Sequence, residues 1–412
     1  MEPEIITHNK NTILEVLSIR IFSISYNHKC ILKKFAVLVS TLFISIHTMY
    51  ANYTHAQRQF IRVALIKQTK QVTCAVHGEY KLIDLEKNII LYKGKYLRRT
   101  PITLKNSIYI GRKCLSTKRI RIYPKKYSII YINGKLRKFR GYIDISAQNN
   151  NTLLIVNTIN IEYYLRGVLY HEMPFYWPIE ALKAQAVAAR TYALYRMKEN
   201  RSHTYDVTSD IYSQVYGGRN AERYRTNVAI RKTRGEVLLY KGDIIPAYFH
   251  SNCGGHTEDA NELWGYNIPP LKGRICKFCK SSPHSKWKKN FRLKDIQDKL
   301  NQNGYHLGLI KEIKIIKRDN SGRVKELQII CRDGKSITIS GKKFREIIGP
   351  NNIKSNLYNV IMKGYYFDLI GKGWGHGVGM CQWGAYNMAK QGYKYKEILQ
   401  YYYPGTNIVK YY

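Results

Sequence analysis

Between residue 60 and about residue 160, apolar and polar positions alternate over short runs. The runs "IRVALI", "KLIDL", "NIILY", "SIYIG", "YSIIYINGKLRKFRGYIDI" and "NTLLIVNTI" are rich in β-branched and aromatic residues and are broken by Gly, Asn and Lys. This is the pattern of strands closed by turns. Within the fifth run, Asn133 and Gly134 form the two-residue hairpin signal. This half of the chain is expected to be mostly β.

The pattern then changes period. Pro178 suits a first helical turn, and Ala181, Leu182, Ala184, Ala186, Val187, Ala188, Ala189, Ala193 and Leu194 supply strong helix propensity to about Asn200. Two adjacent stripes are expected on this helix. Leu182, Ala186, Ala189 and Ala193 form a small-residue face that lets it lie close to a sheet, and Lys183, Val187, Arg190 and Leu194 run beside it. Seven residues separate Lys183 from Arg190, so they project from one side about 10 Å apart. Beyond the helix, "GEVLLYKGDIIPAYFHSNCGG" reads as two strands around Lys241-Gly242, and a second αβ stretch runs to about 370. The tail "GKGWGHGVGMCQWGAYNMAKQGYKYKEILQYYYPG" reads as a glycine-rich loop feeding a helix that Pro404 and Gly405 end. No internal repeat or long low-complexity linker interrupts this order.

At 412 residues the chain can bury a proper core, which excludes a disordered protein. Its 68 Lys+Arg against 28 Asp+Glu give a net charge of +40, pointing to nucleic acid, a membrane surface or an acidic wall polymer. A general bias toward Lys, Ile, Asn and Tyr competes with that reading as the source of the charge. Nucleic acid is not the expected partner, because no recognised nucleic-acid motif accompanies the charge.

Residues 1–56 read as a leader. Lys29, Lys33 and Lys34 precede the apolar run 35–46, and Thr54 and Ala56 offer small residues for cleavage. The expectation is an exported chain, located in the periplasm or cell wall, with the leader cleaved near Ala56; an uncleaved leader is the alternative and the only membrane attachment. Seven cysteines follow the leader, Cys74, Cys114, Cys253, Cys276, Cys279, Cys331 and Cys381, an odd number that leaves at least one unpaired.

Candidate chemistry concentrates in three places. Glu172 precedes Met173-Pro174, so it is expected in an extended or turn conformation just ahead of the long helix. An acid there often serves only as a favourable contact with the helix dipole. Flanking Tyr170, Phe175, Tyr176 and Trp177 favour a different use, because a carboxyl walled by aromatics holds its proton near neutrality and can act as a general acid.

The loop 371–385 has five glycines in its first nine residues, with Trp374, His376 and Trp383 as stacking faces and an imidazole. It lacks the Gly-Lys-Ser/Thr ending of a phosphate loop, which leaves a ligand-approaching loop or a tightly turned structural one. The third place, "HSNCGGHTED", offers His250, Ser251, Cys253 and His256. Downstream, Cys276 and Cys279 have the two-residue spacing zinc favours, with His284 and Cys253 as candidates to complete a site. A single such pair is half a signal: a surface disulfide fits as well as zinc, and unpaired thiols fit better than either.

Taken together and in order, "YLRGVLYHEMP", "WPIEALKAQAVAARTYAL", "SQVYGG", "AYFHSNCGGHTED" and "GKGWGHGVGMCQWGAYNMA" resemble the stage II sporulation protein D (SpoIID) and amidase-enhancer (LytB) family. The resemblance covers roughly residues 150 to 412. It implies an α+β fold with a leader over 1–56, a β-rich region over 57–150 and a mixed core over 151–412 carrying the Ala-rich helix. It also implies an extracytoplasmic protein acting on peptidoglycan glycan strands without a cofactor. The implied activity is that of a lytic transglycosylase on strands stripped of stem peptides, with a non-catalytic activator of a cell-wall amidase as the alternative.

By that resemblance Glu172 of "EMP" is the catalytic acid and Arg190 of "AVAART" a donor to the developing charge. Lys183, Gln214, Tyr216, His250, Ser251, Trp374, His376 and Gln382 are the implied substrate-binding residues. Some family members bind zinc at places that here read Val207, Tyr212 and Ser213, so that metal site is expected to be absent.

Overall fold

A computed structural model of the protein describes residues 60–125, 129–133, 137–210 and 212–412. The expected leader over 1–56 lies outside the described residues. Among the described residues ten strands precede the first helix: β1 (Phe60–Thr69), β2 (Gln71–Asp84), β3 (Ile89–Leu104), β4 (Ile108–Ile110), β5 (Lys113–Cys114), β6 (Arg119–Pro124), β7 (Ile129–Ile132), β8 (Arg137–Phe139), β9 (Tyr142–Ala147) and β10 (Leu153–Asn160). A hairpin forms around Asn133, but not with the two-residue connection expected: Ile130 faces Phe139 and Ile132 faces Arg137, which leaves four residues between the paired ends, and Asn133 takes a φ of 48°. Gly134 lies outside the described residues.

Two helices follow, α1 (Ile161–Glu172) and α2 (Ile179–Glu199), and then the short strand β11 (Val207–Thr208). The main sheet runs in the order β11-β1-β10-β9-β6-β2-β3-β4-β5, with β7 beside β2 and β8 beside β7. Its pairings are antiparallel except β1 with β11. Strand β2 reaches three neighbours because it bends: bulges near Cys74 and His77 let one end pair with β7 and the other with β6. Against β10, which is buried on both faces, lies α1.

Helix α2 differs from the two-stripe expectation. It is buried all round from Ala181 to Leu194, with Lys183 alone partly exposed in that stretch. Ala186, Ala189 and Ala193 face the core of the sheet, whereas Ala181, Leu182, Ala184, Val187 and Ala188 face a second core. Leu182 therefore leaves the stripe assigned to it. Alanines on both sides let the helix act as a partition, since only small side chains fit between two close-packed layers.

Past α2 come α3 (Tyr224–Lys232), β12 (Glu236–Tyr240), β13 (Asp243–Ile244) and β14 (Phe249–His250). The β12–β13 turn uses Lys241 and Gly242 at φ values of 51° and 88°, as the sequence indicates. A short helix α4 (Ala260–Trp264) follows.

A separate αβ body then begins: β15 (Trp287–Arg292), α5 (Leu293–Gln302), β16 (Ile310–Arg318), β17 (Val324–Cys331), β18 (Ser336–Ser340), α6 (Gly341–Ile348), β19 (Tyr358–Lys363) and β20 (Tyr366–Gly371). It has its own core around Phe344, Leu327 and Phe367. The chain returns through β21 (Met380–Cys381), which pairs in parallel with β14, setting His250 opposite Cys381. The αβ body is thus looped out between two paired strands.

The tail holds two helices where one is expected, α7 (Gln382–Lys390) and α8 (Tyr395–Tyr402), before β22 (Asn407–Lys410) pairs with β12. Gly392, at φ 95°, ends the first helix. The second core packs α7 and α8 against α2.

Candidate active site

Glu172 is the last residue of α1, and not an extended residue ahead of α2. The restriction that Pro174 places on its predecessor falls on Met173, which is extended at φ −136°, ψ 140°. Asn160 caps the start of α1 by accepting from the Glu162 N–H. Gly167 lies against the Tyr216 ring, where any Cβ would collide, and its carbonyl accepts from the Gly217 N–H. That contact docks the "SQVYGG" loop on α1.

The docking brings a third segment into play. The partly buried Glu172 carboxylate is met by the Val215 backbone N–H of this loop and by the side chain of Gln382, the first residue of α7. Burial pushes its pKa from 4.5 up to about 7, although both hydrogen bonds pull the other way. Position at a helix C-terminus also disfavours the anion. Behind Gln382 stands Gln185 of α2, whose Oε1 accepts from Gln382 Nε2 at 3.4 Å. Burial raises the pKa values of Tyr164 and Tyr192, and both lie near enough to Glu172 for its charge to raise them further.

Arg190 is not brought to this carboxylate. It is fully buried and grips Glu162 through Nε at 2.8 Å and Nη2 at 3.0 Å, while Nη1 donates to the Glu236 carbonyl at 3.1 Å. Burial raises the Glu162 pKa, but Arg190, the Tyr412 hydroxyl and the Gly235 N–H more than offset it and leave it lowered. Glu162 sits in the first turn of α1 and Glu172 in the last, about 15 Å of helix apart. Lys183 is likewise engaged, with Glu180 at 2.6 Å and over the Tyr395 ring.

The remaining expected residues divide between core and aromatic cluster. Tyr216 is buried and donates to Asn157 Oδ1 at 2.9 Å. Gln214 accepts from the Tyr164 hydroxyl at 3.1 Å, and its buried Nε2 has no partner among the described residues. His250 donates Nδ1–H to the Val378 carbonyl at 3.1 Å, leaving Nε2 buried and without a partner among the described residues.

Both ring nitrogens of His376 are used, Nε2 toward the Phe249 carbonyl and Nδ1 accepting from the Val378 N–H. Burial lowers its pKa to about 4, so it is neutral at pH 7. The two imidazoles meet edge-on at 5.5 Å, and His376 also packs on Trp264 and Tyr248, with Tyr248 in turn against Tyr192. Ser251 offers its carbonyl to the Trp383 N–H at 3.1 Å. Trp374 stands with His284 and Lys354, its ring 4.3 Å from the imidazole.

Sequence reasoning missed Gln185, Tyr192 and the Val215 N–H. Gln185 left a trace as the one amide in an alanine run. A backbone N–H carries no signal in sequence.

Another acid with a raised pKa is Glu258, pushed up to about 7 by burial and by Asp319 against the pull of Arg323. It is 2% exposed and accepts from Ser321 at 3.0 Å, so it closes the joint to the αβ body. The cysteine expectation changes as well. His284 stays with Trp374, and the sulfurs of Cys253, Cys276, Cys279 and Cys381 all lie within 4.8 Å of one another. Val207, Tyr212 and Ser213 supply no comparable group: Val207 is paired in the sheet, Tyr212 is exposed, and the Ser213 Oγ accepts from the Thr208 N–H.

Comparison with known proteins follows these boundaries. Residues 149–240, holding α1, α2 and the Val215 loop, match the family described as stage II sporulation protein. Residues 279–379, nearly the whole looped-out body, match a domain of unknown function. The chain is 34% identical to an uncharacterized protein of Brachyspira hyodysenteriae over 88% of its own length and 96% of that protein. It is 31% identical to the amidase enhancer of Bacillus subtilis but spans only 40% of that protein's length. To stage II sporulation protein D of Bacillus subtilis it is 32% identical, over 61% of this chain and 75% of that one. On this coverage, the chain belongs to the stage II sporulation protein D family.

Proposed function

We propose that this protein cleaves peptidoglycan glycan strands as a lytic transglycosylase, with Glu172 as its acid and then its base. The reading rests on one observation: on a partly exposed residue, a carboxyl whose pKa burial holds at about 7 is addressed by two hydrogen-bond donors and, among the described residues, by no second acid. The other acids in this stretch are committed, Glu162 to Arg190 and Glu180 to Lys183 and the Tyr395 N–H.

A hydrolase that works through two carboxylates needs both in the groove. One carboxyl suffices when the nucleophile belongs to the substrate. Protonated Glu172 gives its proton to the glycosidic oxygen as the C1–O bond breaks. The resulting carboxylate takes the proton of the muramyl C6 hydroxyl as that oxygen closes on C1. A 1,6-anhydro end forms and no water is consumed. Gln382 and the Val215 N–H steady the carboxylate between the two transfers, and exposed Phe175 and Tyr176 offer sugar-stacking faces beside it.

A cell-wall role accords with the family and with the likeness to an amidase enhancer. Among the described residues no helix is long and apolar enough to cross a membrane. The test is to incubate the purified chain with intact and with peptide-stripped glycan and to search the products by mass spectrometry for anhydromuramyl ends. Glu172→Gln should lower their formation on the order of 10²–10⁴-fold. Reducing ends would mean hydrolysis. No product, with stimulation of an added amidase that survives Glu172→Gln, would make the protein an activator.

A further inference from the structure

Four cysteines distant in sequence share one buried point. Cys253 follows β14, Cys276 and Cys279 lie in the turn before the looped-out body, and Cys381 ends β21 on the far side of that body. All four are at most 2% exposed, and none is in a disulfide. Their sulfurs lie within 4.8 Å of one another, with Cys253 and Cys279 at 3.4 Å.

We propose that Cys253, Cys276, Cys279 and Cys381 form a structural tetrathiolate site for a single divalent zinc-like ion.

The geometry fits one ion better than the alternatives. Tetrahedral zinc at about 2.3 Å from each sulfur places neighbouring sulfurs about 3.8 Å apart, within a small movement of the arrangement present. Disulfides join sulfurs in pairs and give no reason for four to converge. An iron–sulfur cluster sets iron and sulfide between the thiolates and spreads them farther than a lone ion does.

The surroundings are arranged for thiolate sulfur. The Cys253 N–H points at Cys381 Sγ at 3.3 Å, and the Tyr402 hydroxyl lies 3.2 Å from Cys276 Sγ. Such donors spread thiolate charge and orient the ligands. The Asn252 amide holds the turn by donating to the Cys279 carbonyl at 2.9 Å. Gly384 keeps the space beside Cys276 open, since a Cβ there would strike Tyr402.

The location gives the ion its task. β14 and β21 are the two strands from which the αβ body is looped out, and pairing them closes a long loop at an entropic cost. A bound ion ties both strands and the intervening turn together. Cys381 immediately precedes Gln382, which reaches Glu172, so the same ion fixes the start of α7. Four thiols give up their protons to solvent on binding, and the ion shields them from oxidation.

The experiment uses the full chain purified without chelators. Elemental analysis should give one zinc per chain. Replacement by cobalt should give the intense sulfur-to-cobalt absorption and visible bands of a tetrahedral thiolate site. Cys279→Ser and Cys381→Ser should each lose the metal, whereas His284→Ala should keep it and so separate this set from one completed by histidine. If the serine variants fail to fold, the cobalt spectrum and thiol alkylation of the unaltered protein still decide: bound metal should protect four thiols, and a strong chelator should expose them and lower Tm.

Two disulfides in the native protein would overturn the proposal. So would four freely alkylated thiols with no metal, or loss of metal in His284→Ala. None of these readouts depends on glycan cleavage.

Discussion

Arg190 holds Glu162 in a two-point ion pair, 2.8 Å through Nε and 3.0 Å through Nη2, in the buried joint between α1 and α2. The Ile230 and Glu236 carbonyls, the Gly235 N–H and the Tyr412 hydroxyl complete this network, tying α3, β12 and the C-terminal residue to the helix pair. The pair sets the angle at which α1 delivers Glu172 to its partners.

Arg190→Met should therefore destabilise the fold by about 3–5 kcal/mol, because it leaves Glu162 buried without its counter-charge. Chemical denaturation checks the value. A variant of unchanged stability that had lost glycan cleavage would instead place Arg190 at the substrate.

Glu172 has the opposite relation to stability. Its pKa lies near 7 in the folded chain against an ordinary 4.5, so folding favours its protonated form. That contribution is fully present below pH 4.5 and is lost as pH rises through 7. Glu172→Gln should match the parent at pH 4 and exceed it at pH 8 by about 1–3 kcal/mol, read from denaturation at the two pH values. Equal stability at both would mean that the carboxyl is not desolvated.

Gln382→Met removes a donor that favours the carboxylate. The pKa of Glu172 should rise, and the alkaline limb of the kcat/KM profile should move up by about one pH unit, the equivalent of about 1.4 kcal/mol. His376, with a pKa of about 4, does not titrate in that window. An unmoved limb would assign it to another group.

Net charge of +40 predicts that binding to purified wall weakens as salt rises, since screening shortens the reach of exposed charges. Sedimentation at low and high ionic strength measures this. Binding that ignores salt would leave the aromatic faces as its source.

Elements with a strong local period were legible in the sequence: the hairpin at Asn133, the turn at Lys241-Gly242 and the long alanine-rich helix. Glu172 stood out because aromatic residues surround it. The end of the helix over Ile161–Glu172 is hidden in the sequence, because Pro174 restricts only Met173 and leaves Glu172 helical. The single helix expected in the tail fails at Gly392, whose positive φ divides it.

By itself, the sequence determined the α+β class and the family and singled out Glu172 as the candidate acid, because these depend on local periods and on runs of residues adjacent along the chain. Only the tertiary structure decided what Arg190, His284 and the cysteines do. Arg190 pairs across 28 residues with Glu162, and Cys381 meets Cys253 across 128. Such partners are chosen by which surfaces the helices and paired strands press together. Helical spacing placed Lys183 and Arg190 on one side of α2, but it could not show that packed layers would bury that side.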